Sequence, residues 1–216
     1  MDWGQPVDGY CERLGPGLWA EPLNAVTNLA FLVVALWLWP RVAGRARLLC
    51  AVLAVIGLGS GLFHTFAQAW AGLADVLPIA VFVLLYLYLA NRAYWRLPVG
   101  LSLLGVGLFF PYAALVVWLP APLPGVGGSA AYLAVALLIA LYALALRRRL
   151  PHVARGLALG AALLALSITF RALDGPLCAA WPIGTHFLWH LLNAAMLGWM
   201  IVVYHRHMVA GSGAGR

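Results

Sequence analysis

The chain has 216 residues, 65% of them hydrophobic and 9% charged, with a net charge of +7 and a mean hydropathy of +0.96. No soluble domain of this length has such a composition, which is that of a polytopic membrane protein. All thirteen basic residues are arginine and stand between apolar runs, so the positive charge reads as membrane topology and argues against nucleic acid as a partner.

Met1–Gly4 has no basic n-region and no cleavage pattern follows, so no signal peptide is expected. Asp2, Asp8, Glu12 and Glu21 precede the first of seven apolar runs, 23–39. Glu21 followed by Pro22 suits a helix start, where an acid and an N1 proline are both favourable. The second run, 48–66, contains Cys50, read as a buried small hydrophobe, and "GLGSGLFH". In that stretch Gly57, Gly59 and Gly61 suit close helix approach, and Ser60 stands one turn before His64 on the same face. The third run, 73–91, has Asp75 in its first turn. Runs 98–118 and 129–147 follow, then 156–171, which ends in Arg171 one turn from Asp174. The seventh, 184–204, carries His186 and His190 four apart on one face, a stripe that Asn193 extends. Residues 1–208 are expected to form a single seven-helix domain, all-α, and 209–216 a disordered tail.

Eleven arginines (41, 45, 47, 92, 96, 147, 148, 149, 155, 206 and 216) fall on one side of this topology, and only Arg13 and Arg171 on the other. The asymmetry places the N-terminus outside and the C-terminus in the cytoplasm. All six acids then lie on or near the outer side, and His64, Asp75, His186 and His190 share one depth. Taken singly, a histidine can snorkel or bond a carbonyl, Asp75 can favour a helix start, Ser60 can be a packing residue and Asn193 interhelical glue. His152, His205 and His207 sit beside arginines on the cytoplasmic side and need no further account. The outer three lie in apolar helix, where ionisable groups are costly and point to function. Three neutral imidazoles that leave one position open are the ligand set of a catalytic zinc.

Four motifs then carry a resemblance: "DGYCER" with "WAEPLNAVTNLAF", "GLGSGLFH", "LADVLPI", and "FRALD" with "THFLWHLLNA". Together they resemble the alkaline ceramidases, within a larger group of seven-helix membrane hydrolases that includes the adiponectin-receptor-like proteins. The resemblance implies zinc on His64, His186 and His190, with Asp75 holding or activating the attacking water and Ser60 completing the site. It also implies calcium as a second metal in the N-terminal segment, on Asp8, Glu12 and Glu21. Tyr10, Gly9 and Leu14 depart from the side chains expected around that calcium. A Cys11–Cys178 disulfide is implied as well, in a compartment that permits one.

Such a site suits hydrolysis of a lipid amide. Zinc lowers the pKa of a water toward about 7 and polarises a carbonyl. Asp75 is the candidate general base, and Ser60 a donor to the tetrahedral oxyanion. The expected substrate is ceramide or a related lipid, giving a sphingoid base and a fatty acid, in contact with membrane lipids. A zinc-containing receptor or sensor and a lipid esterase on the same scaffold remain as alternatives. Arg171 is expected to neutralise the outer carboxylates and anchor the sixth helix to the N-terminal segment; its plainer reading is an interfacial snorkel. Short loops suggest a bacterial inner membrane with the site facing the periplasm; an endoplasmic reticulum or Golgi membrane gives the same topology.

Overall fold

The structure, a computed structural model, describes residues 2–15, 17–119 and 126–213. Its helices are α1 (Pro22–Thr27), α2 (Leu29–Leu38), α3 (Arg45–Phe66), α4 (Ala69–Ala93), α5 (Val99–Trp118), α6 (Ala130–Leu146), α7 (Pro151–Leu177) and α8 (His186–Gly213). Among the described residues there is no strand, only an isolated bridge between Pro6 and Gln68. Helices α3, α4, α5, α7 and α8, and α1 with α2 taken together, are long and apolar enough to cross a membrane. The remaining apolar helix, α6, has 17 residues, about 25 Å of rise. The chain is thus an integral membrane protein with an all-helical bundle.

Three boundaries differ from the sequence reading. The first run is broken at Asn28: Thr27 Oγ1 donates to the Leu23 carbonyl at 2.8 Å and Asn28 Nδ2 to that of Asn24 at 2.8 Å. Side chains that bond the preceding turn in this way bend a helix. Helix α7 extends past 156–171 at both ends. Pro151 supplies an N1 start, and Asp174, polar but hydrogen-bonded, continues the helix beyond the apolar run. Helix α8 runs to Gly213, so residues 209–213 are helical where disorder was expected. Residues 214–216, Arg216 among them, lie outside the described residues.

Helix α8 packs on α7 and also meets α1, α2 and α3, which puts it near the middle of the bundle. Helix α5 packs mainly on α4 and α6 and buries only Ser102. Lipid is as apolar as leucine, so helices in a membrane associate through close packing at small residues. Gly156 and Gly160 of α7 do this against Val203 and Met200 of α8. The N-terminal segment closes the end of the bundle where α3 stops and α4 and α8 begin. Val7 N–H donates to the Ala67 carbonyl at 2.8 Å, Ala69 N–H to that of Gln5 at 3.1 Å, and Cys11 is disulfide-bonded to Cys178. Cys50 is free and fully buried in α3.

Candidate metal centre

His64 sits in the last turn of α3, and His186 and His190 open α8. The bundle brings the three together: one ligand nitrogen from each lies within 4.8 Å of the others. Their rings meet at centroid distances of 5.1, 4.6 and 4.6 Å. All three are almost wholly buried, at 0%, 2% and 1% exposure. Each nevertheless has a buried ring nitrogen without a hydrogen-bond partner: Nε2 of His64, Nδ1 of His186 and Nε2 of His190. Buried polar atoms are seldom left so, because each costs about 1–3 kcal/mol. Three such lone pairs on one spot fit a cation with a taste for imidazole, of which zinc is the commonest.

The opposite ring nitrogens of His64 and His190 are held. His64 Nδ1 lies 2.5 Å from Glu21 Oε2. His190 Nδ1 lies 2.9 Å from Thr27 Oγ1, whose own hydrogen is directed to the Leu23 or Asn24 carbonyl. Both Nδ1 atoms therefore donate, which leaves both Nε2 atoms as acceptors. Partners of this kind fix the tautomer and orientation of a metal-bound histidine. Burial pushes the Glu21 carboxyl up, but the hydrogen bonds from His64, Arg13 and Asn24 hold it below the usual range. Tyr10 stacks on His186 with centroids 3.7 Å apart. Burial raises its phenol above the ordinary value against the opposing pull of Arg171.

Asp75 is half-buried in α4 beside the buried Ser60 of α3, and both line one apolar cavity with His190 and Asn193. Gly59 makes that neighbourhood: a Cβ there would overlap the Ala74 carbonyl oxygen and stand 2.8 Å from its carbon. Pro78, four residues on, has no N–H to give that carbonyl the usual helical bond. Of the other glycines in the motif, Gly57 abuts Phe31 and the Asn28 carbonyl, whereas Gly61 has only ordinary contact. Asn193 acts between helices, its Nδ2 donating to Ser167 Oγ of α7 at 2.7 Å.

Asp174 organises the entry to α8. Its Oδ1 accepts from the N–H groups of Thr185 (2.7 Å) and His186 (2.9 Å), and its Oδ2 from that of Cys11 (2.9 Å). Gly184 at φ +68° completes the turn, where a Cβ would overlap Asp174 Oδ1 and stand 2.8 Å from Cys11 Cβ. Arg171 does anchor α7 to the N-terminal segment, but through Tyr10 and not through acids. Nη1 donates to the Tyr10 hydroxyl at 2.5 Å and Nε to Ser129 Oγ at 3.1 Å. Its guanidinium also lies over the rings of Tyr10, Tyr132 and Trp189. Among the described residues it makes no direct ion pair with a carboxylate, and its charge reaches Asp75 at longer range.

The three acids assigned to calcium take different positions. Asp8 is exposed, Glu12 bonds the first turn of α1, and Glu21 serves His64 and Arg13. Among the described residues, the histidine trio is the group of His, Cys, Asp or Glu side chains within metal-holding reach. Thr27, Tyr10 and Glu21 as partners of the histidines escaped the sequence reading. The available signal was their place in "DGYCER" and "WAEPLNAVTNLAF", two motifs otherwise read only for calcium and a helix start.

Residues 14–213 match the family model described as Ceramidase. No curated protein matches the chain.

Proposed function

The chain belongs to the ceramidase family, and from that premise we propose that it is a zinc-dependent amidohydrolase that cleaves the N-acyl bond of ceramide or a close relative. The observation that carries the reading is the trio of orphaned, fully buried imidazole nitrogens on His64, His186 and His190. These residues would hold the zinc, which when bound supplies an acidified water and a Lewis acid for the carbonyl. Glu21 and Thr27 keep the His64 and His190 rings turned toward the centre. Asp75 takes a proton from the attacking water and returns it to the departing nitrogen. Ser60 donates to the oxyanion as the carbonyl carbon becomes tetrahedral. Water oxygen joins the acyl carbon, the C–N bond breaks, and a fatty acid and an amine leave.

The cavity supports a lipid as substrate. From Asp75 and Ser60 it continues between α4, α6, α7 and α8 as far as Ala90 and Tyr94. The lining residues on α4 are spread over about 28 Å of helix and are mostly apolar, a lining suited to an alkyl chain. The arginine asymmetry favours a site that faces outward, in a bacterial inner membrane toward the periplasm, with the C-terminus in the cytoplasm. The lumenal side of an endoplasmic reticulum or Golgi membrane would satisfy the same rule.

The test is metal analysis of the purified protein beside mass spectrometry of lipid products. Near-stoichiometric zinc with release of fatty acid and sphingoid base from ceramide is expected. Zinc without release of fatty acid from any ceramide, ester or other acyl lipid would replace the hydrolase with a sensor.

A further inference from the structure

We propose that Arg13 is the resident cation of the N-terminal segment, standing against Glu21 where the family resemblance implies calcium, and that this protein assembles its site without calcium. Calcium takes about 6–8 oxygen ligands, carboxylates foremost among them. The carboxylate oxygens of Glu12 and Glu21 each already accept from an N–H donor. Glu12 Oε1 and Oε2 accept from the backbone of Leu23 at 2.6 Å and Asn24 at 2.8 Å. Glu21 Oε1 accepts from Arg13 Nε at 2.6 Å. Glu21 Oε2 accepts from Asn24 Nδ2 at 3.2 Å and meets His64 Nδ1 at 2.5 Å. Asp8 is exposed, and Leu14, whose side chain offers no oxygen, is 91% exposed.

Arg13 itself is buried, with 5% of its side chain exposed against 1% for Glu21. Nη1 also takes the Gly15 carbonyl at 3.2 Å, a backbone oxygen that a metal loop would otherwise use. Nη2 is buried without a protein acceptor. An arginine is always charged, so it compensates Glu21 at every accessible pH and in any concentration of calcium. A dication brought to the same place meets a fixed positive charge and no free carboxylate pair.

The arrangement makes Arg13 a positioning residue for the centre. One oxygen of Glu21 is pinned by Arg13, and the other holds His64. Loss of the guanidinium frees the carboxylate to turn, and with it the ring that faces the metal. Loss of such an outer partner typically weakens metal binding by about 10–100-fold.

The experiment uses full-length purified protein in detergent micelles. Radioactive calcium in equilibrium dialysis should show no stoichiometric binding, and the melting temperature should be the same in millimolar calcium, millimolar magnesium or chelator specific for calcium. Arg13→Gln should release zinc to a competing chelator 10–100-fold more readily than wild type, and Arg13→Lys should recover part of that difference. One calcium bound per wild-type chain, or a rise in melting temperature with calcium but not magnesium, overturns the proposal without recourse to any variant. Wild-type zinc retention in Arg13→Gln overturns the positioning role. None of these measurements depends on hydrolysis, so a protein that proved to cut another lipid would leave them standing.

Discussion

Gly59 of α3 lies directly against the carbonyl of Ala74 in α4, the carbonyl that Pro78 cannot bond. The next residue on each side of this contact is a proposed catalytic group, Ser60 on one helix and Asp75 on the other. Gly59→Ala must push the helices apart at their closest point, because the obstacle is backbone. A loss of about 1–3 kcal/mol is expected, with hydrolysis falling further than stability. Gly61→Ala meets nothing nearer than Asn28 Cβ at 3.8 Å and should stay within about 0.5 kcal/mol. Thermal unfolding and turnover of the pair measure this; equal behaviour would refute it.

The site residues should separate into two classes. His64→Ala, His186→Ala and His190→Ala should each lose most of the metal and all hydrolysis. Asp75→Asn leaves three imidazoles in place, so zinc should stay while turnover falls by roughly 10²–10⁴. Ser60→Ala should keep zinc and lose less than Asp75→Asn. Metal content and initial rates, read together, decide it. Full activity in Asp75→Asn would remove the proposed proton acceptor.

Asp174 is expected to matter for folding more than any other acid. Asp174→Ala strands three N–H groups, each worth about 1–3 kcal/mol when buried unpaired, and the loop relaxes enough that roughly 3–5 kcal/mol should be lost. Asp174→Asn keeps an acceptor for Thr185 and His186 and should cost less. Unfolding in mixed micelles ranks the two, and a neutral Asp174→Ala would show that the turn caps itself.

The helical bundle was legible in the sequence from its apolar runs, and the histidine trio from spacing within one run and a depth shared between two. His186 and His190 lie one turn apart, and His64 reaches them through shared depth. What was illegible depends on pairs far apart in the chain. Thr27 meets His190 across 163 residues, and Cys11 meets Asp174 across 163. No local pattern announces that a threonine in the first crossing will bond a ring in the last. Arg171 is legible as an anchor, but its hydrogen-bond partners Tyr10 and Ser129 are not. Charge suggested acids, whereas the acid beside it was consumed by backbone N–H groups and aromatic rings took the guanidinium. The interruption at Asn28 was hidden by uniform hydropathy.

Arg171→Ala removes two hydrogen bonds and an aromatic seat. A cost of about 1–3 kcal/mol is expected, with normal zinc content in the folded fraction. Arg171→Lys should restore little, since an ammonium cannot bond Tyr10 and Ser129 as a planar fork does. Melting temperatures of both variants test this, and wild-type stability in Arg171→Ala would return it to an interfacial snorkel.

The far end of the cavity should set chain length. Tyr94 there shares a 3.0 Å hydrogen bond with the Tyr86 hydroxyl, which also donates to the Met200 carbonyl at 3.1 Å. Tyr94→Ala should shift preference toward longer acyl or sphingoid chains, whereas Tyr94→Phe keeps the shape and should leave preference unchanged. Competition among ceramides of graded length, read by mass spectrometry, shows which holds. An unaltered profile in Tyr94→Ala would place the chain elsewhere.

The backbone of Cys11 and the carboxylate of Asp174 are partners 163 residues apart. A ribosome adding about 5–20 residues per second needs roughly 8–33 s to make the second after the first. Through that interval Cys11 lacks both Asp174 and Cys178, and two of the three imidazoles do not yet exist. The centre therefore arises only when the last crossing is made, and a chain stopped short of it is inert toward the lipid around it. Synthesis itself sets the moment at which the bilayer acquires this chemistry.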